Sequence, residues 1–448
     1  MKAVTGLRLC ALACLMNYPA VFSQTTADTA TALNLDDCIT YALKHQPLIN
    51  QALVNEAITR ATNAINTAGW YPQANVSGNL THYITLPTVF VKNSGTGAVT
   101  QQRNGVINTA IPVLTVTQTI FNPALLYAEK YAPLYVKQSE QITDSTKIEI
   151  VAAVSKTFYS LLLTLQQINV LKEDTTRLNK NLNDAYYQYM GGIVDETDYD
   201  EAAISLNNSR AQLRQATENI RPQYALLKQV MGYPAAQQFN VVYDTLRMQQ
   251  DIAFDTTQQL QYDRRIELQY LQTARKLQGQ VVNYYRKSWL PTLGAFFDYD
   301  YEFQNNTFGK LFSNAYPYSF VGLSLSMPLF TGFARTQNLK RANLQYQLYN
   351  WDEANLRSQI YAEYTAALAS YKSNTYNLGI TRENVTLARK TYDIVALQYQ
   401  QGIVPYLNVI TAESNLITAE IGYQNALFQL LSSKIDLQKS MGIITVNH

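Results

Sequence analysis

"YMGGIV" at residues 189–194 and "YQQGIV" at residues 399–404 are nearly the same phrase, 210 positions apart. At that offset residues 188–232 align with 398–442 without a gap. Gln188/Gln398, Tyr189/Tyr399, Gly192/Gly402, Ile193/Ile403, Val194/Val404, Ala202/Ala412, Leu206/Leu416, Ala216/Ala426, Met231/Met441 and Gly232/Gly442 are identical. The matches gather at a glycine turn and at a helix end, where the backbone is least tolerant. Upstream, "TIFNP" (119–123) aligns with "PLFTG" (328–332) at an offset of 209, and "WYPQ" (70–73) with "WLPT" (289–292) at 219. A changing offset means loops of unequal length between two related halves.

Behind each glycine turn runs a heptad helix. Leu206, Leu213, Ile220 and Leu227 recur every seven residues in the first half; Leu416, Tyr423, Leu430 and Leu437 do so in the second. A stripe of small residues runs beside them: Ala202, Ser209 and Ala216, then Ala412, Ala419, Ala426, Ser433 and Ser440. Large and small stripes together predict knobs-into-holes packing against a close partner. The helix before the second turn, Phe333 to Gln401, holds no proline and would span ~100 Å at the helical rise per residue. Its counterpart contains Pro133, which predicts a kink or a late start. Pro222 predicts a bend in the helix that follows.

Four segments alternate with period two. Ala74, Val76 and Leu80 alternate with Asn75, Ser77, Asn79 and Thr81, and Leu114 and Val116 with Thr115 and Thr117. Leu293, Ala295, Phe297, Tyr299, Tyr301 and Phe303 alternate with Gly294, Asp298, Asp300 and Glu302; Val321, Leu323, Leu325 and Met327 alternate with Gly322, Ser324 and Ser326. This is the period and length of a transmembrane β-strand. A sandwich face on a soluble core is the other reading; against it, Asp298, Asp300 and Glu302 on one face suit a wet lumen, with the aromatics turned to lipid. Residues 84–105 and 304–317, rich in Gly, Asn and Ser, join the two pairs as loops. Four strands cannot close a barrel, and open edges are not tolerated in lipid. The barrel must therefore be shared between chains, with eight strands in a dimer or twelve in a trimer.

The totals agree. Charged residues make up 15% and hydrophobic ones 47%, which excludes a disordered chain. Lys2, Arg8, the apolar run Leu9–Met16, and Val21 and Ser23 before Gln24 read as a secretory signal over residues 1–23. Cys14 after Leu12-Ala13 faintly resembles a lipoprotein box. The chain has 35 basic and 33 acidic residues, so loss of Lys2 and Arg8 brings the balance to zero. No basic field exists to attract nucleic acid. Only Cys38 then remains, so no intrachain disulfide is expected. His45, His82 and His448 form no ligand-spaced pair, "FGKLF" (308–312) lacks the rest of a phosphate loop, and no Gly-x-Ser-x-Gly occurs. The residues give no support for an enzyme, a metal site or a cofactor.

This ordered set resembles the TolC-like family of outer-membrane channel proteins: the opening "LNLDDCITYALKHQP", the Trp-x-Pro entries into strands, the duplicated layout, and Tyr-x-x-Gly before a heptad helix. The resemblance covers essentially the whole mature chain. It implies a mainly α fold with a membrane β-barrel part. Long antiparallel helices would form an α-helical barrel, and four transmembrane strands per chain would contribute to a shared 12-stranded barrel in a homotrimer. The expected layout is a first repeat over 24–233, with strands about 72–83 and 106–120 and long helices about 134–190 and 195–231. A connecting segment, 234–256, leads to a second repeat over 257–448, with strands about 291–303 and 318–328 and long helices about 333–401 and 405–441.

The resemblance further implies the outer-membrane channel of a tripartite efflux pump. It would be a passive duct carrying small molecules from the periplasm or an inner-membrane pump to the exterior. The partners would be a periplasmic adaptor (membrane fusion) protein, the pump and outer-membrane lipid, in a Gram-negative outer membrane with a long periplasmic part. Two other readings remain: the duct of a one-step protein secretion system, and a periplasmic coiled-coil spacer without a pore. Carried over from the family, adaptor docking falls to Tyr189, Gly191, Gly192 and Ile193 at one tip and to Tyr399, Gly402 and Ile403 at the other. Pore-narrowing carboxylates would be Asp195, Glu196, Asp198 and Glu201. The second half departs from the family's acidic pattern, with Asn408 and Thr411 in place of acids and Glu413 beyond them; these three remain constriction candidates, and a ring of polar Asn408 or the Asp198 set alone would replace an acidic gate in the second half.

Overall fold

The computed structural model describes residues 31–92, 94, 95, 97–242 and 252–446. The expected signal segment and Cys14 lie outside the described residues. Strand β1 (Thr31–Leu33) leads into α1 (Leu35–His45), α2 (Pro47–Thr67) and β2 (Gln73–His82). A short hairpin, β3 (Thr88–Lys92) and β4 (Val99–Arg103), precedes β5 (Asn108–Phe121). Helices α3 (Pro123–Met190) and α4 (Glu196–Met231) close the first half with β6 (Phe239–Val241). The second half holds α5 (Ile266–Lys287), β7 (Thr292–Asn305), β8 (Ala315–Ser326), α6 (Ala334–Gln400) and α7 (Tyr406–Ser440).

The late start expected at Pro133 does not occur. Helix α3 begins at Pro123, behind an Asn122 side chain that accepts from the Ala124 N–H. Proline is at home there, since the first helical N–H has no partner in any case. Pro133 and Pro222 both lie inside continuous helices. Each removes one rung from a ladder long enough to run on past it.

The sheet order is β2-β5-β7-β8, all antiparallel, so the two halves meet at β5–β7. Register places Val76 opposite Leu114, Leu114 opposite Tyr299, Val116 opposite Phe297, and Phe297 opposite Val321. One face is therefore a continuous apolar surface, exposed in the single chain. The other face carries Thr115, Asp298 and Asp300 in adjacent rows. The aromatics do not all take the apolar side. Tyr318 and Phe320 sit opposite Asp300 and Asp298 on the acid face. Phe296 on that face lies across Gly322, where a Cβ would come within 2.5 Å of its ring. Within 84–105, expected as a loop, Thr88–Lys92 and Val99–Arg103 pair as the β3–β4 hairpin.

The core sits where the helices are most crowded. Cys38, Ile39 and Ile49 from α1 and α2 meet Val154, Phe158 and Leu161 of α3, Leu227 and Met231 of α4, Phe239, and Leu431 of α7. Each fully buried side chain of this size contributes roughly 1.5–3 kcal/mol. A window of α3 is apolar enough to cross a membrane by composition, but over half of it is buried in this core, which accounts for its hydropathy. The Cys38 thiol is wholly buried and pushed up to about 12 by that burial; it acts as a small apolar side chain.

The duplication is visible in how the returning helices end. Gly232 (φ +70°) and Gly442 (φ +68°) sit at equivalent stops. A Cβ on Gly232 would lie 2.8 Å from the Gln46 Cα, and one on Gly442 2.8 Å from the Arg264 carbonyl oxygen. Gln46 Nε2 donates to the carbonyls of Gln229 (3.1 Å) and Val230 (2.7 Å). Arg265 Nη1 donates to the Ser440 carbonyl at 2.9 Å. Gln46 and Arg265 precede α2 and α5, so each half uses the same position to satisfy orphan carbonyls at a helix C-terminus.

Candidate functional site: the paired helical tips

Both long hairpins turn by the same device. At the first tip the Gly192 N–H donates to Tyr189 (2.9 Å) and the Ile193 N–H to Gln188 (2.9 Å). At the second, Gly402 donates to Tyr399 (2.9 Å) and Ile403 to Gln398 (2.9 Å). Gly192 and Gly402 share φ +71°. This is the Schellman closure, with glycine at the left-handed position. Nothing lies within 4 Å of a Cβ built on either glycine, so the outer side of each turn is open. Ile193 is 71% and Ile403 64% exposed. Each tip thus presents bare backbone and an exposed isoleucine to solvent, joined at the first tip by Met190.

Behind the turns the two hairpins are welded together. Ala185, Ala202, Tyr399, Tyr406 and Val409 form a small buried cluster drawn from α3, α4, α6 and α7. Tyr399 packs against Tyr406 with ring centres 5.2 Å apart and the planes tilted by 56°, whereas Tyr189 is half-buried and stacks on Tyr199 at 6.4 Å. The repeated tyrosine therefore belongs to the wall of each tip and not to its outer surface. Both the Tyr399 and Tyr406 hydroxyls are buried without a partner among the described residues. Burial pushes Tyr399 up to about 12 and raises Tyr406 as well.

The candidate constriction residues separate into three environments. Asp195 and Glu196 are exposed at the start of α4, with Asp198 and Glu201 half-buried behind them. Acids there favour the helix N-terminus. Asp198 also accepts from the Tyr406 backbone N–H, tying α4 to α7; burial and the neighbouring Asp195 raise its pKa. Asn408 and Thr411 are exposed on α7. Glu413 is buried, 2% exposed. Its carboxylate accepts from Arg177 Nε (3.3 Å) and Asn181 Nδ2 (3.0 Å) of α3.

That environment exposes a network the sequence reading missed. Asp174 is wholly buried beside Glu413, accepts from Ser209 of α4 at 2.6 Å, and faces Arg177 at 3.4 Å. Desolvation raises the pKa of both carboxyls; the Asp174 charge raises Glu413 further, while the Ser209 hydroxyl and Arg177 partly offset the rise at Asp174. The one available signal was a charged pair, Asp174 and Arg177, on an otherwise apolar helical face. No group of His, Cys, Asp and Glu among the described residues is arranged to hold a metal ion.

The family model described as "Outer membrane efflux protein" matches residues 38–233 and 257–443. No curated protein sequence matches the chain. Among solved structures, the outer membrane protein VceC of Vibrio cholerae is similar at a TM-score of 0.70 and 16% identity, over 91% of this chain and 96% of that one. CusC, whose structures concern folding and transmembrane channel formation, gives 0.72 and 15%, over 92% of each chain. The CmeC outer membrane channel of Campylobacter jejuni gives 0.69 and 17%, over 91% of this chain and 85% of that one. At these identities the likeness concerns the fold.

Proposed function

Because this chain belongs to the outer membrane efflux protein family, we propose that it is the outer-membrane duct of a tripartite efflux pump, passing small molecules outward. One observation carries the reading. A four-stranded sheet with an apolar face and two free edges, β2 and β8, is joined to helices of 68 and 67 residues. The free edges need partners in lipid. In three copies, β8 of one chain meets β2 of the next and closes twelve strands. The helices below continue the wall as a periplasmic tunnel some ~100 Å long.

The helix neighbours support a continuous wall. Near the sheet the order is α2-α3-α5-α6; toward the tips it is α4-α3-α7-α6. Four helices per chain stand side by side at either level, so three chains supply twelve. In this reading residues 24–233 and 257–448 are the two structural repeats, 234–256 connects them, and 1–23 is removed on export. The tips meet a periplasmic adaptor through Gly191, Gly192, Ile193, Gly402 and Ile403, with Tyr189 and Tyr399 shaping the wall behind them. Asp195, Asp198 and Glu201, with Asn408 and Thr411, narrow the pore. Glu413 acts inside the wall, because its carboxylate is turned into the α3–α7 contact.

The test is export. In a host lacking its own outer-membrane duct, expression of this chain with its genomic adaptor and pump should lower intracellular accumulation of a fluorescent pump substrate. Unchanged accumulation, alongside secretion of a neighbouring protein substrate, would favour the protein-secretion duct instead.

A further inference from the structure

The second half holds an uneven distribution of charge. Residues 268–297 and 303–351 contain no Asp or Glu, yet they carry Arg275, Lys276, Arg286, Lys287, Lys310, Arg335, Lys340 and Arg341. Lys310 lies in the far loop between β7 and β8. The others gather at the opposite end of the sheet, where α5 runs into β7 and α6 leaves β8. The first half has no such cluster. Between residues 61 and 128 its only charged residues are Lys92 and Arg103, both in the far loop.

These cations are poorly neutralised within the chain. Arg275 pairs with Glu353 at 3.2 Å, and Arg341 reaches the Tyr285 hydroxyl at 3.5 Å. Arg286, Lys287, Arg335 and Lys340 are exposed, and their side chains have no acidic partner among the described residues. A groove of about 730 Å³ between α5 and α6 opens beside them; Lys276, Asn283, Arg286 and Tyr346 line it together with the paired Arg275 and Glu353. Exposed apolar and aromatic side chains occupy the same level: Trp289, Leu329, Phe330 and Phe333. Read along the chain axis, the order is apolar sheet face, aromatic residues, then unpaired cations.

We propose that this basic collar binds the phosphate headgroups of anionic phospholipids in the leaflet facing the helical shaft. The inference rests on the sheet being the membrane-spanning part. The sequence of layers is that of a membrane–water interface, with aromatics at headgroup depth and cations just beyond them. Guanidinium groups bind phosphate oxygens in pairs, and lysine adds point charge. Continuity with the apolar sheet face selects a lipid over a soluble anion. Three copies of the chain repeat the cluster around the shaft.

The experiment uses the full chain reconstituted in vesicles of phosphatidylcholine, with or without phosphatidylglycerol, and bound lipid is read by native mass spectrometry. One variant combines Arg286→Gln, Lys287→Gln, Arg335→Gln and Lys340→Gln. A charge-matched control combines Lys172→Gln, Lys180→Gln, Arg210→Gln and Lys390→Gln near the tips. The native chain and the control should retain phosphatidylglycerol over phosphatidylcholine at least tenfold, and the collar variant should lose that preference. Equal retention by the collar variant overturns the proposal. So does displacement of phosphatidylglycerol by millimolar inorganic phosphate, which would make the site one for free anions. A chain that inserts and conducts without lipid preference refutes the collar alone; a chain that never inserts refutes the channel reading with it.

Discussion

Glu413 of α7 and Asp174 of α3 are buried against one another and share a single guanidinium, that of Arg177. Two carboxyls beside one cation in a low-dielectric wall cannot both ionise cheaply. Burial, then Asp174, push Glu413 up to about 7. The folded chain therefore holds a proton that the unfolded chain releases above the usual carboxylate range. Stability from this contact is fully present below pH 4.5 and is lost as pH rises from there through about 7. Tyr392 of α6, Tyr406 of α7 and Asn181 of α3 also face the pair, and neither tyrosine ionises in that window. The loss should be on the order of 2 kcal/mol per chain. Unfolding followed from pH 5 to pH 8 should show the decline, and Glu413→Gln should flatten it. An unchanged slope in the variant would place the pH dependence elsewhere.

The helix-end glycines make a second prediction. Gly232→Ala and Gly442→Ala combine a left-handed backbone with a Cβ placed 2.8 Å from neighbouring backbone atoms. Each should cost roughly 2 kcal/mol or more. Gly379→Ala, with open space around it and an ordinary helical conformation, should be neutral or mildly stabilising. Comparison of the three melting curves checks the argument.

At the tips the expectation differs, because Gly192 and Gly402 have open space on their outer side. A bulky residue there meets no clash inside the chain and costs only the backbone strain of about 1–2 kcal/mol. Gly402→Trp and Gly192→Trp should each leave trimer yield near normal while abolishing adaptor cross-linking and drug export. In the proposed trimer two like halves would present six similar tips, so the two variants should behave alike. Normal cross-linking in both would reduce these glycines to turn-formers.

The sheet faces can be separated by charge. Leu323 lies on the apolar face opposite Ala295. Leu323→Arg should cost about 2–4 kcal/mol if placed near the bilayer centre, and heat-resistant oligomer bands should weaken. Asp298→Asn, on the polar face, should leave assembly intact and change only ion selectivity.

Much of this architecture was written in short-range pattern. Leu206 to Leu227 and Leu416 to Leu437 announce the heptad helices, and alternation through Leu293–Phe303 and Val321–Met327 announces two strands. Gly192 and Gly402 mark the turns because few other residues take that backbone freely. What stayed hidden depends on contacts distant in sequence. Asp174 and Glu413 come from different halves, and nothing local to either says that they meet. The β3–β4 hairpin escaped because "TVFVK" and "VTQQR" are short and sit among loop residues. Pro133 misled as to where the helix starts, because a proline weakens one rung of a helix whose other rungs hold it.

The most direct test of the central claim is the mass of the native assembly extracted from membranes in detergent. Closure of β8 onto a neighbouring β2 predicts three chains and no stable smaller species. A monomer that stays soluble after detergent is removed would contradict the shared barrel, and with it the duct.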